Sequence, residues 1–380
     1  MNLPLGLDPG RQGGVYRESW YEIDLGAIRH NYHQLRAHLA GTVKIFACLK
    51  RNGYGCGAGP VARALATEGV DGFAVASLPD AMAIRKTGIE LPVLLYPGPL
   101  PRSAKTIESL GLTVTVSSLD ELERWRAAMS ITRVFVKADL GFFRAGATPQ
   151  ETSRLLAAAH ACSDVEVQGL YAHLSELPTS TSSPANEQFA RLQCILHEAE
   201  ASGTRPPIAM LSSTEGLLRY PEMDLNAVDP GALFVGLVET DHPMRPVNLR
   251  PALKAISTSL VSVKRLDVSL GPTPDIPGFR SGMTIGVLGM GWGDGLPRHL
   301  PCHAEALVRG QRAPLLPPAH LEHVRIDLTE VPDAKFGDQV LLLGEQRHHS
   351  ITQDEVAAQW GTDVVGLYVQ LRDHIPRIYV

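Results

Sequence analysis

Several familiar signatures are missing from this chain of 380 residues, and each absence closes a class of function. The five cysteines (48, 56, 162, 194 and 302) are odd in number, scattered and free of CxxC spacing. That argues against a disulfide frame or a zinc site and for a reducing, cytoplasmic compartment; no metal is expected. The longest apolar runs are strand length, so no membrane-spanning helix is expected. The net charge is only -5, with no basic block to suggest nucleic acid and no acidic tail to suggest a basic partner. No GxGxxG follows the first strand, so the dinucleotide fingerprint is missing. Residues 1–14 are rich in Gly and Pro and lack the long apolar core of a signal peptide, which makes them a loose leader. Beyond the alternation described next there are no repeats and no low-complexity segment.

What is present is an α/β pattern at a composition normal for a globular enzyme, 44% apolar and 20% charged. Strand-like runs fall at 43–49, 72–76, 92–96, 112–116, 133–138, 167–173, 207–211 and 227–229. Helix-like stretches lie between most of them, for instance 58–68, 78–86, 118–129, 149–161, 185–201 and 215–220. This alternation points to parallel strands joined by right-handed crossovers. An N-terminal (β/α)8 TIM-like barrel over residues 15–250 is the natural closure, with an open doubly wound sheet as the alternative. From about Pro251 the texture becomes β-rich, and residues 251–380 read as a separate C-terminal domain that the strand near 20–24 could also join. Its strands are expected at 255–266, 283–288, 304–308, 323–328, 339–343 and 365–371, with a helix near 352–360 and turns at Gly310, Pro332-Asp333 and Gly344. Pro272–Gly278 reads as a surface loop.

Chemistry is expected at the C-terminal ends of barrel strands. Lys50 ends the first strand, and a glycine-rich turn follows in Lys50-Arg-Asn-Gly-Tyr54-Gly-Cys-Gly57. A partly desolvated lysine there is a good amine for a Schiff base, with the Tyr54 hydroxyl facing the same pocket; the plainer alternative turns Lys50 out to solvent. Arg144 follows the fifth strand, His173 ends the sixth, Ser213 and Thr214 follow the seventh, and Asp229-Pro230-Gly231 follows the eighth. The Ser213 and Thr214 hydroxyls and the amides of Gly231 and Ala232 suit a phosphate monoester. Taken singly, Ser-Ser-Thr is ordinary loop composition and a lone histidine at a strand end is more often structural. Five candidates on one rim weigh more.

The Lys50–Gly57 stretch resembles the pyridoxal 5'-phosphate (PLP) motif of the alanine racemase family, and the resemblance runs from Glu22-Ile-Asp24 to Pro376-Arg377-Ile-Tyr379. It implies a barrel followed by a β-rich domain, with Lys50 holding PLP and Tyr54 touching its phosphate. Lys137 and Arg144 keep the family spacing, which implies an arginine near the cofactor O3' and the substrate carboxylate, oriented by a lysine that the family often carbamylates. His173 would lie near the ring. Thr214, Gly231 and Ala232 fall on phosphate-binding positions. Met290-Gly-Trp292-Gly-Asp294 matches the motif through which a partner subunit supplies the second catalytic base, implying a homodimer with shared active sites.

The chain also departs from the family. Trp292 stands where the family has the tyrosine base, and an indole N–H has no acid–base chemistry near neutral pH. Asp229 stands where the family has an arginine facing the pyridine nitrogen; a carboxylate there favours the pyridinium and a stronger electron sink, unless Asp229 merely caps a short helix. A phosphate-contacting tyrosine aligns with Val365, and nearby Tyr368 is expected to face elsewhere. Leu321-Glu322 replaces a methionine-aspartate pair near the substrate carboxylate, flanked by His320 and His323. The expected catalytic set is therefore Lys50, Arg144, His173, Trp292 and His320, with Lys137, Arg144, Leu321 and Glu322 on the substrate. The function implied is that of a PLP-dependent amino-acid racemase or epimerase with an altered second base. The alternatives are a PLP-dependent decarboxylase, aldolase or lyase on the same fold, and a non-catalytic PLP-binding protein.

Overall fold

The computed structural model describes residues 17–175, 184–211, 214–238, 243–267, 271, 278–301 and 303–380. The leader and all but the last residue of Pro272–Gly278 lie outside them. The chain divides into two compact units, one over Gly26–Pro251 and the other over Ala252–Val380 together with the described residues up to Leu25.

The chain opens with strand β1 (Ser19–Ile23), which belongs to the second unit. The first unit then carries β2 (Lys44–Cys48), β3 (Gly72–Val75), β4 (Val93–Leu95), β5 (Thr113–Val116), β6 (Thr132–Lys137), β7 (Val165–Tyr171), β8 (Ala209–Met210) and β9 (Ala227–Val228). Every pairing among them is parallel, in the order β8-β7-β6-β5-β4-β3-β2-β9. The β2–β9 pairing joins the first and last strands, as a barrel requires and an open sheet with β2 at its edge would not allow. At the β8–β9 seam a side chain replaces the ladder: Asn226 Oδ1 accepts the Ala209 N–H at 2.8 Å, and its Nδ2 donates to the Pro207 carbonyl at 2.8 Å.

The barrel is filled rather than hollow. Phe46, Cys48, Ala74, Leu94, Phe135, Tyr171, Met210 and Ala227, from seven different strands, form one buried cluster. Phe135 packs edge-on against Phe46 at 6.1 Å and Tyr171 at 6.2 Å. Gly169 makes room for it, since any Cβ there would collide with the Phe135 ring. Truncating so buried a phenylalanine to alanine costs about 3–5 kcal/mol. Around the strands the helices start on side-chain caps at Ser77, Ser118 and Thr148, the last a full capping box with Glu151.

In the second unit β1 is joined by β10 (Leu253–Arg265), β11 (Thr284–Leu288), β12 (Glu305–Val308), β13 (Gln311–Leu316), β14 (Val324–Asp327), β15 (Gln339–Gln346), β16 (His349–Ile351) and β17 (Arg377–Tyr379). The long β10 pairs with β15 through its first half and β11 through its second, which closes β10-β11-β14-β13-β12-β15 into a small antiparallel barrel. Arg309 and Gly310, both at positive φ, make the tight β12–β13 turn.

Two expectations fail here. Residues 365–371 were expected as a strand, but Val364–Gln370 is a helix: the Asp363 side chain accepts the Gly366 N–H at 2.6 Å, and Leu367 and Tyr368 bury the inner face. Gly344 is not a turn but lies inside β15 at φ 128, where β15 passes close to the backbone of Lys254. Among the described residues no helix is long and apolar enough to cross a membrane, and no group of three or more His, Cys, Asp or Glu side chains is placed to hold a metal.

Candidate active site

The first barrel strand does not run smoothly into its helix. Arg51, Asn52, Gly53 and Tyr54 take φ values of 52, 56, 62 and 54°, one turn of left-handed backbone. Such a conformation costs roughly 1–2 kcal/mol for each non-glycine residue. Local hydrogen bonds hold it: Asn52 N–H donates to Asp80 Oδ1 at 2.9 Å, Ala58 N–H to Asn52 Oδ1 at 2.8 Å, and Gly57 N–H to the Asn52 carbonyl at 2.8 Å. Asp80 is itself held by the Ser77 hydroxyl at 2.8 Å. The turn leaves Lys50 half-buried at the strand end and lays the Tyr54 hydroxyl against Gly231, where a Cβ would collide with it and lie 2.9 Å from the Cys48 carbonyl oxygen. Cys48 N–H donates to the Pro230 carbonyl at 2.9 Å, which fixes the Pro230–Gly231 turn to β2.

Next to this turn lies a cluster of ionisable groups. Asp229 is 7% exposed, and its Oδ2 accepts the Tyr96 hydroxyl at 2.6 Å. Its Oδ1 is buried without a hydrogen-bond partner among the described residues. Asp229 caps no helix; the short turn at Ala232–Val235 starts from Gly231. Burial pushes the Asp229 carboxyl up to about 6, against the pull of the Tyr96 hydrogen bond and of Lys137 and Lys50. Lys137 is also buried, its Nζ 4.3 Å from the centre of the Tyr171 ring. Desolvation lowers it to about 8, opposed by Asp229 and assisted by Arg144 and Lys50. Lys50 Nζ stands 5.7 Å from the Tyr96 ring centre, and Tyr96 packs against Tyr171 at 5.6 Å. Burial raises the hydroxyls of Tyr54 and Tyr96 well above their usual range, so both stay protonated donors.

The Arg144 guanidinium lies 4.2 Å from the Phe142 ring centre, and Phe142 meets His173 edge-on at 5.6 Å. Asp139 builds the loop, its carboxylate accepting the backbone N–H groups of Gly141, Phe142, Phe143 and Arg144. Desolvation would raise that carboxyl, but the four hydrogen bonds outweigh it and hold it below the usual range. Desolvation, then Lys137, Lys50 and Arg144, pull His173 down to about 3, so its imidazole is neutral. Thr214 is buried, its Oγ1 facing the Leu233 N–H at 3.4 Å beside Ala232. Ser213 lies outside the described residues.

The remaining candidates sit together in the second unit. Trp292 N–H donates to the His320 carbonyl at 2.9 Å, Gly293 N–H to the Leu321 carbonyl at 2.9 Å, and His320 N–H to the His323 carbonyl at 2.7 Å. Gly291 is required by this approach, since a Cβ would collide with the His320 carbonyl. The backbone is thus pinned while the side chains of Trp292, His320, Leu321, Glu322 and His323 are exposed. Tyr368 is fully buried, and its hydroxyl accepts the Leu253 N–H at 3.0 Å.

Comparison with known proteins fits this geometry. The family model of the alanine racemase N-terminal domain matches residues 23–239, and that of the alanine racemase C-terminal domain matches residues 278–379. The chain belongs to the alanine racemase family. Its relatives include the alanine racemase of Desulfovibrio desulfuricans, 31% identical with 96% of this chain and 98% of the relative covered. Another is that of Symbiobacterium thermophilum, 30% identical with 96% and 97% covered. The alanine racemase structure from E. faecalis is 26% identical, covers 96% of this chain and 98% of its own, and superposes with a TM-score of 0.84. That of Bacillus anthracis with bound L-Ala-P is 25% identical, covers 97% and 96%, and gives the same TM-score of 0.84. The family is PLP-dependent, and an alanine racemase-like function comes with membership.

The rim residues fit PLP: the Lys50 amine lies just past the first barrel strand, an orphaned buried carboxylate oxygen of Asp229 can meet a ring N–H, and Gly231 leaves its backbone uncovered beside Tyr54. Tyr96 and Phe142 belong to this alanine racemase-like rim and were missed in the sequence. Tyr96 could have been found, because it ends the expected strand 92–96 on the same rim. Phe142 carries no such signal; only the loop built by Asp139 brings it under Arg144.

Proposed function

We propose that the protein interconverts the enantiomers of a small amino acid, with Lys50 holding PLP and serving as the base on one face of the substrate Cα. The observation that carries this reading is the clustering of Lys50, Lys137, Arg144 and Asp229 at one rim of a closed barrel. Bound PLP supplies an electron-poor ring that stabilises negative charge at Cα. Lys50 Nζ removes and returns the α-proton on its own face. Arg144, steadied on Phe142, holds the substrate carboxylate, and Lys137 adds positive charge behind it. Neutral His173 packs beside the ring without adding another cation. Tyr54, Ser213, Thr214 and the amides of Gly231 and Ala232 hold the phosphate, and Asp229 faces the ring nitrogen.

The opposite face needs a second proton carrier, and the indole of Trp292 cannot be one. Trp292 shapes the pocket, Leu321 and Glu322 contact the substrate, and His320, supplied by the partner in a homodimer with shared active sites, carries the proton. The cysteine pattern supports a cytoplasmic location. Borohydride reduction of the holoenzyme followed by peptide mapping tests the reading: PLP should be trapped on Lys50 alone, and trapping elsewhere would contradict it. His320→Ala should slow racemisation equally in both directions, as an equilibrium constant of one between enantiomers requires, while α-proton exchange with retention persists only for the enantiomer that presents its proton to Lys50; equal loss of exchange from both enantiomers would remove His320 from this role. The carboxylate at 229 together with tryptophan at 292 favours a second reading, loss of the substrate carboxylate or side chain, which a product analysis separates from racemisation.

A further inference from the structure

The orphaned oxygen of Asp229 has a consequence for Tyr96. A buried carboxylate accepts through both oxygens, and leaving one unmet is costly. Here Oδ2 is taken by the Tyr96 hydroxyl at 2.6 Å, a charge-assisted distance, while Oδ1 has no partner among the described residues. Tyr96 follows β4 and Asp229 follows β9 directly, so rigid barrel strands carry both ends of the pair. The Tyr96 ring is in turn held against Tyr171, whose hydroxyl meets Thr115 at 3.0 Å. The charged and titratable groups around the pair are Lys50, Lys137, Cys48, Tyr54 and Tyr171.

We propose that Tyr96 is a positioning residue for the cofactor: by occupying Oδ2 it aims Oδ1 at the PLP ring nitrogen and keeps the carboxylate ionised, so that the ring is bound in its N-protonated form. The proposal rests on PLP occupying this rim. The proton lies on the ring nitrogen and is shared with Oδ1; no bond to carbon changes and no further reactant is needed. Without the tyrosine hydroxyl, burial makes Asp229 the stronger base of the pair, and the proton moves from the ring to the carboxyl. Tyr96 therefore sets how much electron density the ring can withdraw while touching none of the reacting atoms.

The test is the 15N resonance of holoenzyme reconstituted with PLP labelled at the ring nitrogen, recorded from about pH 6 to pH 9 across the range where such groups titrate. In the wild type the signal should sit at the protonated position throughout, and in Asp229→Asn at the unprotonated position. Tyr96→Phe should retain PLP but shift the proton partition away from the ring by about tenfold, the worth of one hydrogen bond to a charged group. Replacing Tyr96 with 3-fluorotyrosine, a stronger donor of nearly the same shape, should leave the ring fully protonated. This variant keeps the question answerable if Tyr96→Phe does not fold. An unprotonated wild-type ring, a Tyr96→Phe spectrum identical to wild type, or a fluorotyrosine variant that loses ring protonation would overturn the proposal. Binding of a PLP analogue with CH in place of the ring nitrogen gives a second reading. It should bind at least about tenfold more weakly than PLP to the wild type and equally well to Asp229→Asn; equal binding to the wild type would overturn the proposal. A protein that takes up no PLP at all would overturn both this and the reading it rests on, which distinguishes the two failures.

Discussion

The barrel rim and the Trp292–His323 loops are built on opposite plans. At the rim, side chains do the holding: Tyr96 binds Asp229, Asn52 binds the turn and Asp139 gathers four amides. In the loops the backbone and the buried Asp294, which accepts the Gly291 N–H at 3.0 Å, do the holding, and the side chains of Trp292, His320, Leu321, Glu322 and His323 are exposed. Substitution at the rim therefore disturbs a shared electrostatic arrangement, while substitution in the loops changes a surface without unsettling what lies beneath. Of the departures implied by the family resemblance, Asp229 falls on the first plan, and Trp292, His320, Leu321 and Glu322 fall on the second.

Substitutions can break or sharpen this contrast. The largest effect is expected for Lys50→Ala, which should abolish the absorbance of lysine-bound PLP and all turnover; retention of either would mean that the rim is not organised around this amine.

Next comes Asp229→Asn in the PLP-free protein. Folding raises this carboxyl from the ordinary 3.8 to about 6, so between those values the folded form holds a proton that the unfolded chain has lost. Its contribution to stability is complete below the lower value and is lost as the pH rises through the upper one. The variant should then exceed wild type by on the order of 2–3 kcal/mol at pH 8, with the gain shrinking toward pH 5. Urea melts at the two pH values check this, and a pH-independent difference would contradict the burial argument.

Gly231→Ala places a Cβ 2.9 Å from the Cys48 carbonyl oxygen and into the Tyr54 hydroxyl, and overpacking of this kind costs about 1–3 kcal/mol. Its PLP affinity should fall with its melting temperature, and a variant unchanged in both would show that the turn has slack. The smallest effect is expected in the loops: His320→Ala should change stability by less than about 0.5 kcal/mol, because the side chain is exposed. A larger loss in the same melts would show that the loops are not the free surface described.

Much of this was legible in the sequence. Eight strand-like runs pointed to the barrel, and the residues at or just after their ends marked Lys50, Arg144, His173, Thr214 and Asp229 for the rim; Lys137 came from the family resemblance alone. What was hidden depended on partners far apart in the chain. The Tyr96–Asp229 pair spans 133 residues, and nothing local to either predicts a hydrogen bond between them. The left-handed turn after Lys50 was hidden too, because it is sustained by Asp80, which lies 28 residues beyond Asn52. Residues 365–371 misled for a different reason: a short apolar run read as a strand, whereas the Asp363 cap and the buried Leu367 and Tyr368 settle a helix over Val364–Gln370.

Lys50 is expected to exchange a proton at the Cα of a small amino acid whose product keeps its carboxylate. The most direct test follows L-alanine in D2O with PLP-loaded protein by proton NMR and chiral chromatography. Loss of the α-proton signal with appearance of D-alanine deuterated at Cα, both absent in Lys50→Ala, is the predicted result. No exchange with alanine or any other amino acid, or a product that has lost its carboxylate or side chain, would contradict it.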